Sequence, residues 1–239
     1  MRPRVRTSLN SYSLENNNFQ LSTFNLTSIT LHHTLPRVFA QRTDIHSDVW
    51  LQDVTFERGH LYLIQAASGT GKSSLCSYLT GYRHDYSGSI CFDGHDISTL
   101  RTSDWTVLRQ HSLSHVFQEL RLFPELTAWE NVQIKNQLTH HKNEAAILAW
   151  FEALGIADKR DTKLARMSFG QQQRVAIIRA LCQPFDFLLA DEPVSHLDKE
   201  NCRIVGDIMM EEARHQGAAV IVTSIGHHID WPYEKHFEL

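Results

Sequence analysis

Two stretches of this chain carry residue types that can handle a phosphate chain and a metal ion beside it. The first is residues 61–75, LYLIQAASGTGKSSL. An apolar run suited to a buried strand gives way to the small residues Ala66, Ala67, Ser68, Gly69, Thr70 and Gly71. Lys72, Ser73 and Ser74 then open a helix. Small residues let successive backbone N–H groups converge on one anion, and the helix adds its positive N-terminal end. Lys72 is placed to reach the β- and γ-phosphates of a nucleotide, and the Ser73 hydroxyl to bind Mg²⁺. At about 4 Å and an effective dielectric near 20, one such charge pair contributes on the order of 4 kcal/mol. The usual pattern, G-x-x-x-x-G-K-[ST], has glycine where this chain has Ala66. Alanine serves there provided its φ stays negative.

The second stretch is FLLADEP at residues 187–193. A short, wholly apolar run ending in Asp191 and Glu192 is how a central parallel strand delivers two carboxylates to its C-terminal edge. Asp191 suits Mg²⁺, directly or through water, and Glu192 suits polarising an attacking water. Such a pair at a strand end is commonplace in itself. Its meaning comes from the phosphate loop upstream.

The elements that must position these residues follow from periodicity and turn signals. Alternation predicts strands over residues 25–31 and 50–56, with an irregular stretch between them, and a third at 61–65 feeding the loop. The loop helix ends near Gly81, a turn at Tyr86-Ser87-Gly88 follows, and a strand over 89–92 closes at Asp93-Gly94. To this point the pattern reads as a mixed sheet. Residues 113–117 form another strand ending at Gln118. Thr127 and Glu130 make a capping box for a helix to about Leu138, and residues 143–154 form a second helix, apolar at Ala146, Ile147, Trp150, Phe151 and Leu154. This block, about 119–166, is expected as a helical subdomain. A helix from about Gly170, the strand 187–190, a helix over 199–216, a strand over 218–222 and an edge strand at 235–239 complete the chain.

With 239 residues the chain fits one large domain, or a core with a subdomain. Its 42% hydrophobic and 21% charged residues place it among soluble globular proteins, and a net charge of −4 gives no reason to expect nucleic acid as a partner. Four cysteines without a C-x-x-C pair read as reduced thiols in a cytosolic protein. The fifteen histidines include adjacent pairs such as His227-His228; neighbours in sequence do not share a face, so the histidines read as surface or loop residues. No run approaches the ~18–20 apolar residues of a membrane span. Residues 1–22 are basic, then polar, without the apolar segment of a secretion signal; they read as a flexible tail or an overlong start to the reading frame.

Taken in order, the motifs resemble the ATP-binding subunit of an ABC transporter. Residues 66–74 (AASGTGKSS) match Walker A, Gln118 in VFQE the glutamine loop, SFGQ at 168–171 the signature, FLLADE at 187–192 Walker B, and SHLD at 195–198 the D-loop. The resemblance covers about residues 23–239. It implies an α/β P-loop NTPase (RecA-like) core with an antiparallel β subdomain and an inserted helical subdomain. It also implies ATP and Mg²⁺ as cofactors, with Ser73, Gln118 and Asp191 toward the metal and Glu192, Lys72 and Gln118 in catalysis. Ser168, the Gly170 backbone and Gln171 would meet ATP held by a second ATPase subunit, so that ATP joins the dimer. An integral membrane permease would be the other partner, placing the chain on the cytoplasmic face of the membrane. FQELRLFPELTAWENV is similar to the group serving lipoprotein release, macrolide export and cell division.

Departures from that pattern bear on turnover. Phe169 replaces a signature glycine, and Ser224 stands where the family has a histidine that contacts the γ-phosphate. Losing one hydrogen bond to a charged group costs about 1.5–3 kcal/mol, roughly a 10- to 100-fold loss of rate. His227 or His228 is an alternative donor. The adenine-stacking aromatic is left open among Phe39, Phe24 and Trp50. Two functions follow: an ATPase driving a transporter, or an ATP-responsive regulatory partner with little turnover.

Overall fold

The computed structural model describes residues 25–239, so the segment 1–22 and Phe24 lie outside the described residues. In chain order, β1 (Ser28–Pro36) and β2 (Asp53–Glu57) precede β3 (Leu61–Gln65), and α1 (Lys72–Leu79) follows the phosphate loop. Next come β4 (Tyr86–Phe92), β5 (His95–Asp96), α2 (Thr102–His111) and β6 (Leu113–Val116). Then α3 (Ala128–Thr139), α4 (Glu144–Ala153) and α5 (Phe169–Leu181) lead to β7 (Phe187–Asp191). The chain finishes with α6 (Lys199–Gln216), β8 (Ala219–Ser224) and β9 (Lys235–Glu238).

The strands form two sheets, the antiparallel β subdomain and the parallel core sheet that the family resemblance implies, although local pattern alone read the first half as one mixed sheet. One is antiparallel, in the order β2-β1-β4-β5; the other is parallel, in the order β6-β7-β8-β3-β9. Alternation along the parallel strands explains why this sheet is the centre of the molecule. Leu63, Leu188, Ala190, Val220 and Val222 enter a core shared with α3, α4, α5 and α6. Their neighbours Tyr62, Ile64, Phe187, Leu189, Ala219 and Ile221 enter a second core against α1, α2 and the antiparallel sheet. A strand buried on both faces needs apolar residues at every position, and β7 has all five buried.

Local signals set the helix ends. The Thr127 hydroxyl accepts the Glu130 N–H while the Glu130 carboxylate accepts that of Thr127, the expected capping box. Asn143 caps α4 through the Ala146 N–H at 2.8 Å. Ile147, Phe151 and Leu154 are buried as expected, while Trp150 stays partly open beneath the Lys142 ammonium. Among the described residues, 119–166 contain no strand, only an isolated bridge between Thr127 and Lys163.

Four features differ from expectation, the first being that the turn expected at residues 86–88 lies within β4. The stretch that reads as irregular after residue 31 continues β1 to Pro36, with a bulge between His32 and Leu35 and His33 at φ 45°. β2 begins at Asp53 because Trp50 turns inward, its indole N–H donating to the Thr70 carbonyl at 2.9 Å. The sequence reading omitted α2, whose buried face is only Trp105 and Leu108; the Trp105 ring packs flat against Gly81, where a Cβ would lie 2.5 Å from it.

Gly88, opposite the β1 bulge, has φ +79°, and a Cβ there would lie 2.4 Å from the His32 carbonyl oxygen. Both strain and clash fall on backbone that cannot swing aside. Gly88→Ala is expected to lower unfolding stability by about 2 kcal/mol or more, read from the midpoint of a urea titration.

Candidate functional site

Three parallel strands end side by side at the site. β3 ends at Gln65, paired with Ser224 of β8, and Asp191 at the end of β7 pairs with Thr223. The loop leaving β3 takes its left-handed turns at Gly69 (φ 81°) and Gly71 (φ 105°), whereas Ala66 keeps a negative φ. Alanine at the first position of the motif is therefore unstrained. Gly71 is the N-cap of α1 and is walled in by Trp50 and Phe39, whose rings would lie 3.1 and 3.2 Å from a Cβ. The loop thus rests on an aromatic floor and exposes its N–H groups at the start of the helix.

Lys72, almost fully buried, folds over this loop. Its ammonium donates to the Ala67 carbonyl at 3.0 Å and the Ala66 carbonyl at 3.5 Å, and lies 3.8 Å from a Glu192 carboxylate oxygen. The gross attraction of that pair is on the order of 4 kcal/mol at an effective dielectric near 20, offset by the desolvation of both groups. Ser73, one residue on, donates its hydroxyl to Asp191 Oδ2 at 2.9 Å and lies 3.5 Å from Gln118 Oε1. A hydroxyl, a carboxylate and an amide oxygen converging in this way are the hard donors that Mg²⁺ selects. Thr223 donates to the other Asp191 oxygen, so the carboxylate is held on both sides.

Glu192 occupies a left-handed conformation, φ 50°, which costs a non-glycine residue about 1–2 kcal/mol. Its N–H donates to the Thr223 carbonyl, and its own carbonyl accepts from the Ser195 N–H and hydroxyl and, at 3.4 Å, from the buried Gln173 amide. Its Oε1 is buried without a hydrogen-bond partner. The strained backbone thus holds a carboxylate oxygen, bare of hydrogen bonds, beside the loop lysine.

The glutamine loop is strained as well. Leu120 and Arg121, just past Gln118, have φ 58° and 48°. The Arg179 guanidinium on α5 donates to both of their carbonyls, at 2.6 and 2.7 Å, and the Arg121 guanidinium lies over the Phe117 ring. α5 therefore touches Glu192 through Gln173 and the glutamine loop through Arg179.

The signature residues occupy the other end of that helix. Ser168 is its N-cap: its hydroxyl accepts the Gln171 N–H at 3.4 Å and its N–H donates to the Gln171 side chain at 3.0 Å. Among the described residues, no hydrogen bond joins Ser168, Gly170 or Gln171 to residues 66–74. Phe169 is 44% exposed and packs edge-on against the His196 ring, while a Cβ on Gly170 would touch the His196 carbonyl. The substitution in the signature is thus met by a ring contact with the D-loop of the same chain.

Ser224 is buried at the end of β8. Its hydroxyl donates to the His227 carbonyl at 2.8 Å and accepts the Gly226 N–H at 3.0 Å, so its hydrogen is committed within its own turn. His227 is exposed; His228 contacts the Gly226 carbonyl and the Tyr233 ring. Of the aromatic candidates, Trp50 is 2% exposed and fixed to the loop, and Phe39 is buried with the Arg42 guanidinium 4.3 Å over its ring.

One histidine departs from the surface reading. His115 on β6 has both ring nitrogens buried and without a hydrogen-bond partner, its ring centroid 3.9 Å from that of Phe117 with the planes tilted by 35°. Burial, reinforced by Arg121 and Lys135, pushes its pKa down to about 3, so the ring is neutral. An unpaired buried polar atom costs about 1–3 kcal/mol. Nothing in the sequence singles it out, because strand alternation gives a face and not what that face meets. Thr223, Gln173 and Arg179 escaped notice for a similar reason: each acts through a partner far away in sequence.

The comparisons with known proteins agree with this geometry. The family model described as ABC transporter matches residues 52–195. The chain is 32% identical over 176 residues to a lipoprotein-releasing system ATP-binding protein, LolD 1, of Rhodopseudomonas palustris, covering 72% of this chain and 78% of that one. It is 36% identical over 178 residues to a macrolide export ATP-binding/permease protein, MacB, of Bradyrhizobium diazoefficiens, covering 72% of this chain but only 27% of that one. Among solved structures, the dimeric ABC transporter cassette MJ0796 superimposes with a TM-score of 0.69 at 24% identity, covering 82% and 88% of the two chains. The same cassette in a post-hydrolysis state with ADP and Pi gives 0.66 at 26% identity, covering 82% and 87%. With the phosphate loop, Walker B pair and signature helix on a P-loop α/β fold, the chain belongs to the ABC transporter ATP-binding family.

Proposed function

We propose that this cassette binds ATP with Mg²⁺, pairs with a second cassette around the nucleotide, and hydrolyses it to drive an integral membrane permease at the cytoplasmic face. The observation that carries the reading is the convergence of Ser73, Asp191 and Gln118 oxygens beside the Lys72–Glu192 pair. In this reading the loop N–H groups and Lys72 take the β- and γ-phosphates, and Ser73, Asp191 and Gln118 hold the metal. When bound, Mg²⁺ neutralises charge on those phosphates. Glu192 orients the attacking water and accepts its proton, and the backbone strain fixes where that carboxylate points. Ser168, the Gly170 backbone and Gln171, at an α5 N-terminus with no bond to its own phosphate loop, suit the γ-phosphate held by the opposite subunit. The adenine belongs in a cavity of about 230 Å³ lined by Phe39, Arg42, Ile45, His46, Trp50 and Thr70.

Residues 119–166, with α3 and α4, serve in this proposal as the helical subdomain that faces the permease, and Gln118 relays its movement. No helix among the described residues is long and apolar enough to cross a membrane, and the chain spans about a quarter of the macrolide-export proteins' length. The committed hydroxyl of Ser224 favours a second reading, an ATP-responsive regulatory partner with slow turnover.

ATP hydrolysis by wild type and Glu192→Gln, each with the permease present, separates the two. The motor reading expects a 10²- to 10⁴-fold drop in kcat with nucleotide binding retained; equal rates at background leave the regulatory reading. A second variant probes the metal's support. Thr223→Val keeps shape but frees one Asp191 oxygen, and the Mg²⁺ concentration giving half-maximal hydrolysis is expected to rise about 10- to 100-fold.

A further inference from the structure

Next to Asp191, Cys76 and His115 add two donors that the proposed nucleotide chemistry does not use. Cys76 lies one turn beyond Lys72 on α1, and its thiol is fully buried. His115 faces it from β6 with both ring nitrogens unpartnered. Between them stands Asp191. One donor atom from each of Cys76, His115 and Asp191 lies within 4.8 Å of the others. Tetrahedral zinc needs bonds of about 2.0–2.3 Å, hence donors roughly 3.5 Å apart, so the three donors would close in by on the order of an ångström on binding. A cavity of about 100 Å³ lined by Ser73, Ser77, His115, Phe117, Gln118 and Asp191 gives access from the glutamine loop.

We propose that Cys76, His115 and Asp191 form a binding site for a thiophilic divalent cation of the Zn²⁺ class. Sulfur and imidazole select such an ion over Mg²⁺, which takes oxygen donors. Three protein donors leave a fourth position for water. On binding, the Cys76 S–H bond breaks, its proton goes to solvent, and a sulfur–metal bond forms; no oxidant or reductant is involved. Thiolate and carboxylate together neutralise the dication. The tilted contact with the Phe117 ring restrains the imidazole, and Thr223 donates to one Asp191 oxygen. Because Asp191 is also the carboxylate assigned to Mg²⁺ above, the ion would compete with Mg·ATP and arrest the cassette.

Titrating the nucleotide-free protein with Co²⁺ in place of Zn²⁺ tests the site without reference to hydrolysis. One equivalent should produce a thiolate-to-cobalt charge-transfer band in wild type that is absent in Cys76→Ala. Zn²⁺ affinity, read by competition with a chromophoric chelator, should fall about 10-fold or more in Cys76→Ala and in His115→Phe. The exposed histidines remain in both variants and set the background. A cobalt spectrum without the thiolate band, or equal Zn²⁺ affinity in wild type and the double variant, overturns the site. The competition rests on the Mg²⁺ reading of Asp191 and is measured separately. Zn²⁺ should inhibit hydrolysis by wild type at a concentration at least 10-fold below that needed for the double variant. A cobalt band with unaltered hydrolysis under saturating Zn²⁺ overturns the sharing of Asp191.

Discussion

The carboxylate of Asp191 is the point on which the site depends. It is 3% exposed, at the end of a strand buried on both faces, and both oxygens are occupied, one by Ser73 and the other by Thr223. A buried charge survives only when its lone pairs are satisfied, so this group ties the phosphate-loop helix and two neighbouring strand ends into one fixed geometry. Gln118, within 3.5 Å of Ser73, adds the last strand edge. Four segments spread across 150 residues of sequence meet at one carboxylate.

The helix α5 carries the consequences outward. Its N-cap is the signature serine, its Gln173 supports the strained carbonyl of Glu192, and its Arg179 holds the two left-handed residues beyond Gln118. A rigid helix fixed at these points cannot shift at one without loading the others. That is a physical basis for linking events at the γ-phosphate to movement of the glutamine loop, without any long chain of intermediaries. The cost sits in the backbone: Leu120, Arg121 and Glu192 all hold positive φ without being glycine. Each is held in place by hydrogen bonds to its carbonyl or to its neighbours.

The departures from the family motif differ in physical weight. Ala66 costs little because the loop takes its left-handed turns at Gly69 and Gly71. Phe169 is accommodated by an edge contact with His196 on the neighbouring D-loop. Ser224 differs in kind, since its hydroxyl closes the turn to His227 and has no hydrogen left to donate to a phosphate.

Much of the fold was legible because the signals are short-range. The capping boxes at Thr127 and the apolar runs feeding Lys72 and Asp191 declare themselves within a few residues, since caps and strand alternation are local physics. The order of loop, glutamine, signature and carboxylates then pointed to the family, which the comparisons show. Local alternation did not reveal the partition into two sheets, which only the family resemblance implied, because which strands pair depends on what else is buried beside them. The same holds for α2, whose buried face of two residues is defined by the glycine it packs on. From the sequence alone, Asp191 and Lys72 are expected to serve a phosphate chain. Only the tertiary structure decided that Ser224 is spent on its own turn, and that Cys76 and His115, 39 positions apart, face the same carboxylate. Hydrogen-bond partners and burial are properties of packing, and no spacing rule encodes them.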